Sequence, residues 1–569
     1  VDKKYSRSLD FEGFLCYLNG MDVTTGNAEI ESEIEQLKLR VAEQALTIAK
    51  QDELIKYYLE QLRLANRHRF GVRSERIDSD EFHQLTLFNE IEADINPPKP
   101  NVVGTATYKR KKRTGKREED LADLPVVRID HELPPEERVC QKCGKLLPEI
   151  GVTVRREVRV IPAQVIVEEH VTHAYKTCDC EDCVLTVSEQ LGEGNCETPV
   201  KPAIIRAEAP APLISGSLAS PSAVAYIIDQ KYGSGMPLYR IERDLKYKGV
   251  NLSRQTISNW VIYCAENFLS GIYSLMITYL LMEFVLHADE TTLQVLHEKG
   301  KAAASKSYEW VYRTSGFASH RIVIYEYQPS RDAKYPKKFL KDFIGFLHTD
   351  GYQGYHDLPG VVVVGCWAHV RRYWENLYNT LPKDTRANSS AARALKYIGE
   401  LFDFESAFSD LLPEERYRRR LEKSKPVAEA FFSWASTLYA LPESLMGKAV
   451  TYSLSQREYL MNVFLDGRLE LSNNRCERSV KPFVMGRKAW LFSNTPNGAD
   501  ASSVMFSLME TARENGLKPY EYIKYLLEKL PTAKTSELER FLPWNESLPD
   551  YCRMPAKPAP EKRSELGAA

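Results

Sequence analysis

Five short apolar runs between residues 284 and 365 constrain this chain more than anything else in it, because two of them finish on an aspartate. The run 284–288 leads into Asp289-Glu290-Thr291. Runs 308–313 and 321–327 follow with a short connection, which suits an antiparallel meander. After a helix-like stretch, 346–349 leads into Asp350-Gly351-Tyr352, and the fifth run, 361–365, precedes a helix that begins near Cys366.

Three strands, a crossover helix, a fourth strand, a helix and a fifth strand is the ribonuclease-H-like order, in which the first and fourth strands lie side by side. Asp289 and Asp350 are then neighbours, although 61 residues separate them. Two buried carboxylates side by side repel until a divalent cation neutralises them. Mg²⁺ takes oxygen ligands and shares its shell with phosphates. Two such ions about 4 Å apart activate an attacking oxygen and stabilise a leaving one. A third acid is wanted on a later helix. Residues 374–457 intervene as a Glu/Lys/Arg-rich insertion with amphipathic helical runs at 401–412 and 427–438. Then Leu471-Ser472-Asn473-Asn474-Arg475-Cys476-Glu477 opens a helix that Pro482 should end. Glu477 is the third acid expected, with Glu470 its rival.

Upstream, the cysteines cluster. Cys140-Gln141-Lys142-Cys143-Gly144 is a metal knuckle, two thiolates on a tight turn closed by Gly. Cys180-Glu181-Asp182-Cys183 supplies a second pair after 36 residues, with strand-like segments 152–160 and 164–172 between, as in a zinc ribbon. Cys178 competes for one ligand position, and His173 more weakly. Eleven cysteines in 569 residues are too few for a disulfide scaffold, so the pairs point to one structural Zn²⁺.

Residues 28–66 carry a heptad pattern. Ile34, Val41, Ile48, Ile55 and Leu62 fall seven apart, with Ile30, Leu37 and Tyr58 in the companion register and Gln44 and Gln51 weakening that seam. A coiled coil that pairs two copies is expected. A basic block follows, in which Lys109, Arg110, Lys111, Lys112, Arg113, Lys116 and Arg117 put seven positive charges into nine residues. Such a block is solvated linker or a phosphate contact. Further on, 238–247 reads as a helix, Gly249 breaks it, and Ser253 caps a second helix that opens on Arg254, Gln255 and Ser258. This is the grammar of a helix-turn-helix whose second helix reads base edges.

Composition adds exclusions. With 43% hydrophobic and 27% charged residues the chain is globular rather than disordered. No apolar run approaches the ~18 residues of a membrane span, and the first thirty residues lack a basic start followed by an apolar core. A cytoplasmic protein with no membrane partner is expected. The net charge of −2 means that any DNA-binding surface must be local. The chain therefore divides into an N-terminal segment (1–27), a coiled coil (28–66), a basic linker (67–130), a zinc-binding module (131–195) and a helical, helix-turn-helix-like domain (196–283). A ribonuclease-H-like α/β catalytic domain (284–512, insertion 374–457) and a C-terminal helical segment (513–569) complete a multidomain α+β chain.

The motifs His287-Ala288-Asp289-Glu290-Thr291, Thr349-Asp350-Gly351-Tyr352, Cys366-Trp367-Ala368-His369-Val370-Arg371-Arg372, Asn473-Asn474-Arg475-Cys476-Glu477-Arg478 and Gly486-Arg487-Lys488-Ala489-Trp490 resemble those of transposases of the insertion-sequence-66 family. The likeness runs nearly the whole length, including Arg69-Phe70-Gly71 and the cysteine module. It implies a DDE-type enzyme that binds the ends of a mobile element and catalyses metal-dependent strand cleavage and strand transfer. Its catalytic acids, and the ligands for two Mg²⁺ or Mn²⁺ ions, fall on Asp289, Asp350 and Glu477. Ser472 stands where the family usually has an acid, and the crowding of Cys178, Cys180 and Cys183 departs from its zinc pattern. Arg478, Lys481, Arg487 and Lys488, with His369 and Arg371 or Arg372 across the site, are placed to hold DNA backbone. Double-stranded DNA, a second copy of the chain and small companion proteins of the same element are the expected partners. A catalytically inactive DNA-binding regulator and a purely hydrolytic nuclease are the competing readings.

Overall fold

A computed structural model describes residues 28–70, 165–170, 174–176, 204–206 and 211–555. The chain falls into two units, one made of residues 1–88, 210–244 and 251–569 and the other of 89–209 and 245–250. In the second, β1 (Ala174–Lys176) pairs antiparallel with β2 (Ile204–Arg206). Residues 165–170, expected as part of a strand, are exposed and belong to no sheet. Cys140, Cys143, Cys178, Cys180, Cys183 and His173 lie outside the described residues, as do Lys109, Arg110, Lys111 and Lys112.

The first unit begins with α1 (Ala28–Phe70), one uninterrupted helix of 43 residues. Three helices follow, α2 (Pro221–Ile228), α3 (Leu238–Tyr247) and α4 (Arg254–Cys264). Ser253 caps α4 as its sequence requires, accepting from the Thr256 N–H at 3.1 Å. Glu242 of α3 adds a second acceptor, taking the Arg254 N–H at 3.1 Å. A π-helical turn (Ala265–Leu269) joins α4 to α5 (Ser270–Leu281). The continuous run Arg254–Leu281 is long and apolar enough to cross a membrane. Here its apolar side, Ile257, Trp260, Val261, Cys264, Leu269, Ile272, Met276 and Leu280, is packed into the protein interior.

The sheet follows: β3 (Val285–Gln294), β4 (Lys306–Thr314), β5 (Val323–Gln328), α6 (Lys334–Phe339), β6 (Gly345–His348) and β7 (Val361–Val364). Its order is β5-β4-β3-β6-β7. The first three strands are antiparallel, and β6 and β7 are parallel to β3. The first and fourth strands are therefore adjacent, with His287 in register with His348. One difference matters for the site. β3 does not stop at Ala288 but continues to Gln294, because beyond His287 it still has β4 as a partner (Glu290 opposite Trp310, Gln294 opposite Lys306). Asp289 is thus within a strand, at the level where its parallel neighbour β6 ends.

After α7 (Trp367–Thr380) comes the insertion: α8 (Ser390–Ala407), α9 (Pro413–Arg419), α10 (Lys425–Ala435), α11 (Leu445–Ser455) and α12 (Arg457–Met461). The expected run 401–412 is the tail of α8 and the turn before α9, where Pro413 starts a new helix. Ala391, Ala394, Ile398, Leu401, Ala428, Phe431 and Phe432 of the insertion close over Trp367 and Trp374 of α7. The chain then returns through α13 (Asn474–Trp490), α14 (Pro496–Glu514) and α15 (Pro519–Lys529). Pro482 does not end α13. It removes one backbone donor, but the buried Phe483 and Val484 beyond it carry the helix on against the sheet. α13 and α14 cover one face of the sheet. The other face meets α6, where Phe339 stacks on Tyr312 at 3.9 Å, and the turn carrying Tyr355, which meets Trp310 edge-on.

Candidate active site

Sequence places a histidine two residues before each aspartate, and alternation along a strand puts such pairs on one face. His287 and His348 accordingly stack across β3 and β6 with ring centroids 4.4 Å apart and planes 12° from parallel. Asp289 and Asp350 project from the same two strands one step further on. The Asp289 carboxylate accepts the Glu290 N–H at 2.8 Å. Asp350 accepts the Tyr352 N–H at 3.0 Å, and its carbonyl takes the Tyr452 hydroxyl of α11 at 2.7 Å.

Glu477 arrives in the first turn of α13, and its side chain is 1% exposed. His369 Nδ1 stands 3.7 Å from its Oε1, and an Arg372 nitrogen 3.7 Å from its Oε2. Burial, then the charges of Asp350, Glu290 and Glu477, push the Asp289 carboxyl well above the usual carboxylate range. Asp289 thus lies in the field of three other carboxylates. Asp289 and Glu477 are buried and Asp350 is half-buried, and an oxygen-only donor set of like charge fits a hard divalent cation, which relieves the repulsion.

Glu290 faces the other side of β3. Arg331 donates to its Oε1 at 2.7 Å and the Tyr355 hydroxyl to its Oε2 at 2.8 Å. Burial and the charge of Asp350 raise it to about 7. The Arg331 guanidinium also lies 4.0 Å above the Tyr352 ring, which ties this pair to the turn after Asp350.

Glu470, the rival third acid, has a different occupation. It accepts from Arg475 Nε at 2.6 Å and from the Gly316 N–H at 3.2 Å. Its own N–H donates to His348 Nε2 at 3.2 Å. Burial raises this carboxyl, but neighbouring positive charge at His287, Arg475 and His348 more than offsets it, to about 2. His287 is itself held near 4 by burial, so above that pH Arg475 is the charged partner that persists.

Asn473 joins these parts. Its Nδ2 donates to the Ala288 carbonyl at 2.9 Å, which leaves Oδ1 to accept from His287 Nδ1 at 2.9 Å. Its backbone N–H reaches the Cys366 sulfur at 3.1 Å. One residue thus fastens α13, β3 and the start of α7. Sequence reasoning did not assign roles to His287, His348, Glu290, Arg331, Cys366 or Asn473. The repeated His-x-Asp at 287–289 and 348–350 was the available signal for the first two.

The residues expected to hold DNA are dispersed. Arg478 and Lys488 are exposed on α13, and Lys481 is half-buried. Arg487 is turned inward, donating to the Thr292 hydroxyl at 2.7 Å. Arg372 and His369 are drawn to Glu477, whereas Arg371 pairs with Glu375 at 2.9 Å. Arg254 and Gln255 are exposed at the start of α4, Gln255 donating to Asn259 at 2.9 Å, and Ser258 is half-buried.

Comparison with known proteins gives these positions a family. Residues 216–501, half of the chain, match the Transposase IS66 family, and 507–544 match the IS66 C-terminal element. Residues 137–183 match the zinc-finger binding domain of transposase IS66, and 57–129 match a domain described as transposase C of IS166 homeodomain. The chain belongs to the IS66 transposase family. Three uncharacterized proteins of Sinorhizobium fredii (strain NBRC 101917 / NGR234) are similar over most of their length. They are y4qI (27% identical, 85% of this chain and 88% of the relative), y4hP (26%, 83% and 86%) and y4jD (25%, 84% and 91%).

Proposed function

We propose that the chain cuts and joins DNA at the ends of an insertion sequence, using Asp289, Asp350 and Glu477 as one site in a ribonuclease-H-like core. The observation that carries this is the gathering of three acids from β3, the end of β6 and the first turn of α13, where burial and the charges of the neighbouring acids push the Asp289 carboxyl well above its usual range. These three side chains would hold Mg²⁺ or Mn²⁺, which supplies Lewis-acid stabilisation of the attacking and leaving oxygens. The protein's own groups do the rest. Asn473 and the paired histidines hold the two strands in register, and Tyr452 and Tyr352 fix the turn that carries Asp350. Arg478, next to Glu477, and Lys488, in the last turn of α13, are exposed and suit the phosphate backbone. Water serves as nucleophile in cleavage and the freed 3′-hydroxyl in joining, and both need the same in-line approach to phosphorus.

On this reading the other segments serve recognition and pairing. Arg254, Gln255 and Ser258 read base edges, and Lys109, Arg110, Lys111 and Lys112 contribute non-specific affinity. Cys140, Cys143, Cys183 and either Cys180 or Cys178 hold one zinc, a reading the zinc-finger match to 137–183 supports. The protein works in the cytoplasm as a homo-oligomer joined through α1, with small companion proteins of the same element as further partners.

The test is incubation with labelled element ends and Mg²⁺, scored for nicking and for joining. Both products support the proposal. Nicking without joining identifies a nuclease, and binding without either a regulator.

A further inference from the structure

Cys366 and His369 stand at the start of α7, spaced so that sulfur and imidazole share one side of the first turn. Glu477 comes to them from α13. One donor atom from each of the three, the Cys366 sulfur, a His369 ring nitrogen and a Glu477 oxygen, lies within 4.8 Å of the others. Cys366 and Glu477 are buried and His369 is half-buried. The cluster is also chemically unlike its neighbours. Asp289 and Asp350 offer oxygen alone, which suits Mg²⁺. Thiolate, imidazole and carboxylate together suit Zn²⁺, and three protein ligands leave a fourth tetrahedral position for water. Arg372 lies 3.7 Å from Oε2 of Glu477, and His369 lies 3.7 Å from Oε1.

We propose that Cys366, His369 and Glu477 form a zinc site distinct from the cysteine module, sharing Glu477 with the three-acid centre. Zinc held there keeps Glu477 from Asp289 and Asp350, so the site is inhibitory. The binding claim stands by itself, and the inhibitory consequence rests on the proposed function.

The full-length protein is titrated with Zn²⁺ by calorimetry, beside Cys366→Ser and His369→Gln. The cysteine module contributes equally to all three. One class of site should be present in the parent and lost in each variant, since each removes one of only three protein ligands. His369→Gln, at a half-buried position, decides the matter if Cys366→Ser does not fold. Superimposable isotherms overturn the proposal. In the second arm, cleavage with Mg²⁺ is followed as Zn²⁺ is added, each protein normalised to its own zinc-free rate. The variants should lose this inhibition. Equal sensitivity, with binding differences intact, overturns the sharing of Glu477. A parent that never cleaves with Mg²⁺ refutes the proposed function instead, and the calorimetry still decides the site.

Discussion

At the scale of single residues, the two glutamates of the 470–477 segment separate cleanly. Glu470 is a brace between Arg475, Gly316 and His348, whereas Glu477 lies in the field of Asp289. Glu477→Gln, like Asp289→Asn and Asp350→Asn, should abolish cleavage while leaving end binding intact. Glu470→Gln should lower the melting temperature and retain turnover. A Glu470 variant that is stable and inactive beside an active Glu477 variant would reverse the assignment. The paired imidazoles predict an acid limit. Burial lowers His287 from 6.5 to about 4, and burial with the neighbouring His287 lowers His348 well below its usual value. Both are neutral when folded, and the unfolded chain binds their protons first. The stability this neutrality preserves is full above about pH 6.5 and is lost as pH falls toward 4, by about 3 kcal/mol for His287 alone. Chemical denaturation between pH 7 and 4 should show that slope, and His287→Gln should flatten it. The aspartates were legible because each follows a short apolar run. The asparagine that organises them was not, since its bond to His287 spans 186 positions and no local pattern reports it. Arg372 and Arg487 were expected to hold DNA backbone, and their inward turn was not legible because the partners that draw them in lie on other elements.

At the scale of elements, Arg420 ties the helical insertion to the segment that leads into α13. Arg420, 1% exposed, gives two donors to Glu405 of α8 and others to the carbonyls of Asp466 (3.1 Å) and Leu469 (2.6 Å). Leu469 precedes Glu470 and the start of α13. Arg420→Ala leaves these buried carbonyls without their donor and Glu405 with Arg416 as its remaining partner, so it should cost about 1–3 kcal/mol. Denaturant titration, with cleavage assayed on the folded fraction, measures both the loss and any looseness passed to α13. Tight backbone approach matters as well. Gly345 opens β6, and a Cβ there would collide with the Phe284 carbonyl, so Gly345→Ala should part β6 from β3 and weaken cleavage and stability together. Helix phase and caps were readable at α3 and Ser253. The end of α13 was not, because the packing of Phe483 and Val484 overrides what Pro482 signals locally.

At the scale of the whole molecule, α1 leaves its aliphatic seam in solvent: Ile34, Val41, Ile48, Ile55 and Leu62 are 40, 38, 58, 56 and 60% exposed. Toward its far end the helix touches the insertion, where Glu60 accepts the Leu445 N–H at 2.8 Å. A second copy would cover the seam at positions seven apart. Deleting 28–66 should turn a dimer into a monomer by light scattering and leave single-end binding while abolishing the pairing of two ends. An unchanged mass would remove the coiled coil from the account.

The distance along the chain between the parts of the site also has a consequence for how the protein is made. The ribosome releases α1 early and both aspartates midway, but Asn473 and Glu477 only after the whole insertion has been translated. A message cut short within the insertion therefore encodes a product that keeps α1 and lacks the third acid. On the proposed function, such a product would join full-length copies and disarm them, so an incomplete copy of the gene would act as a brake on the intact one.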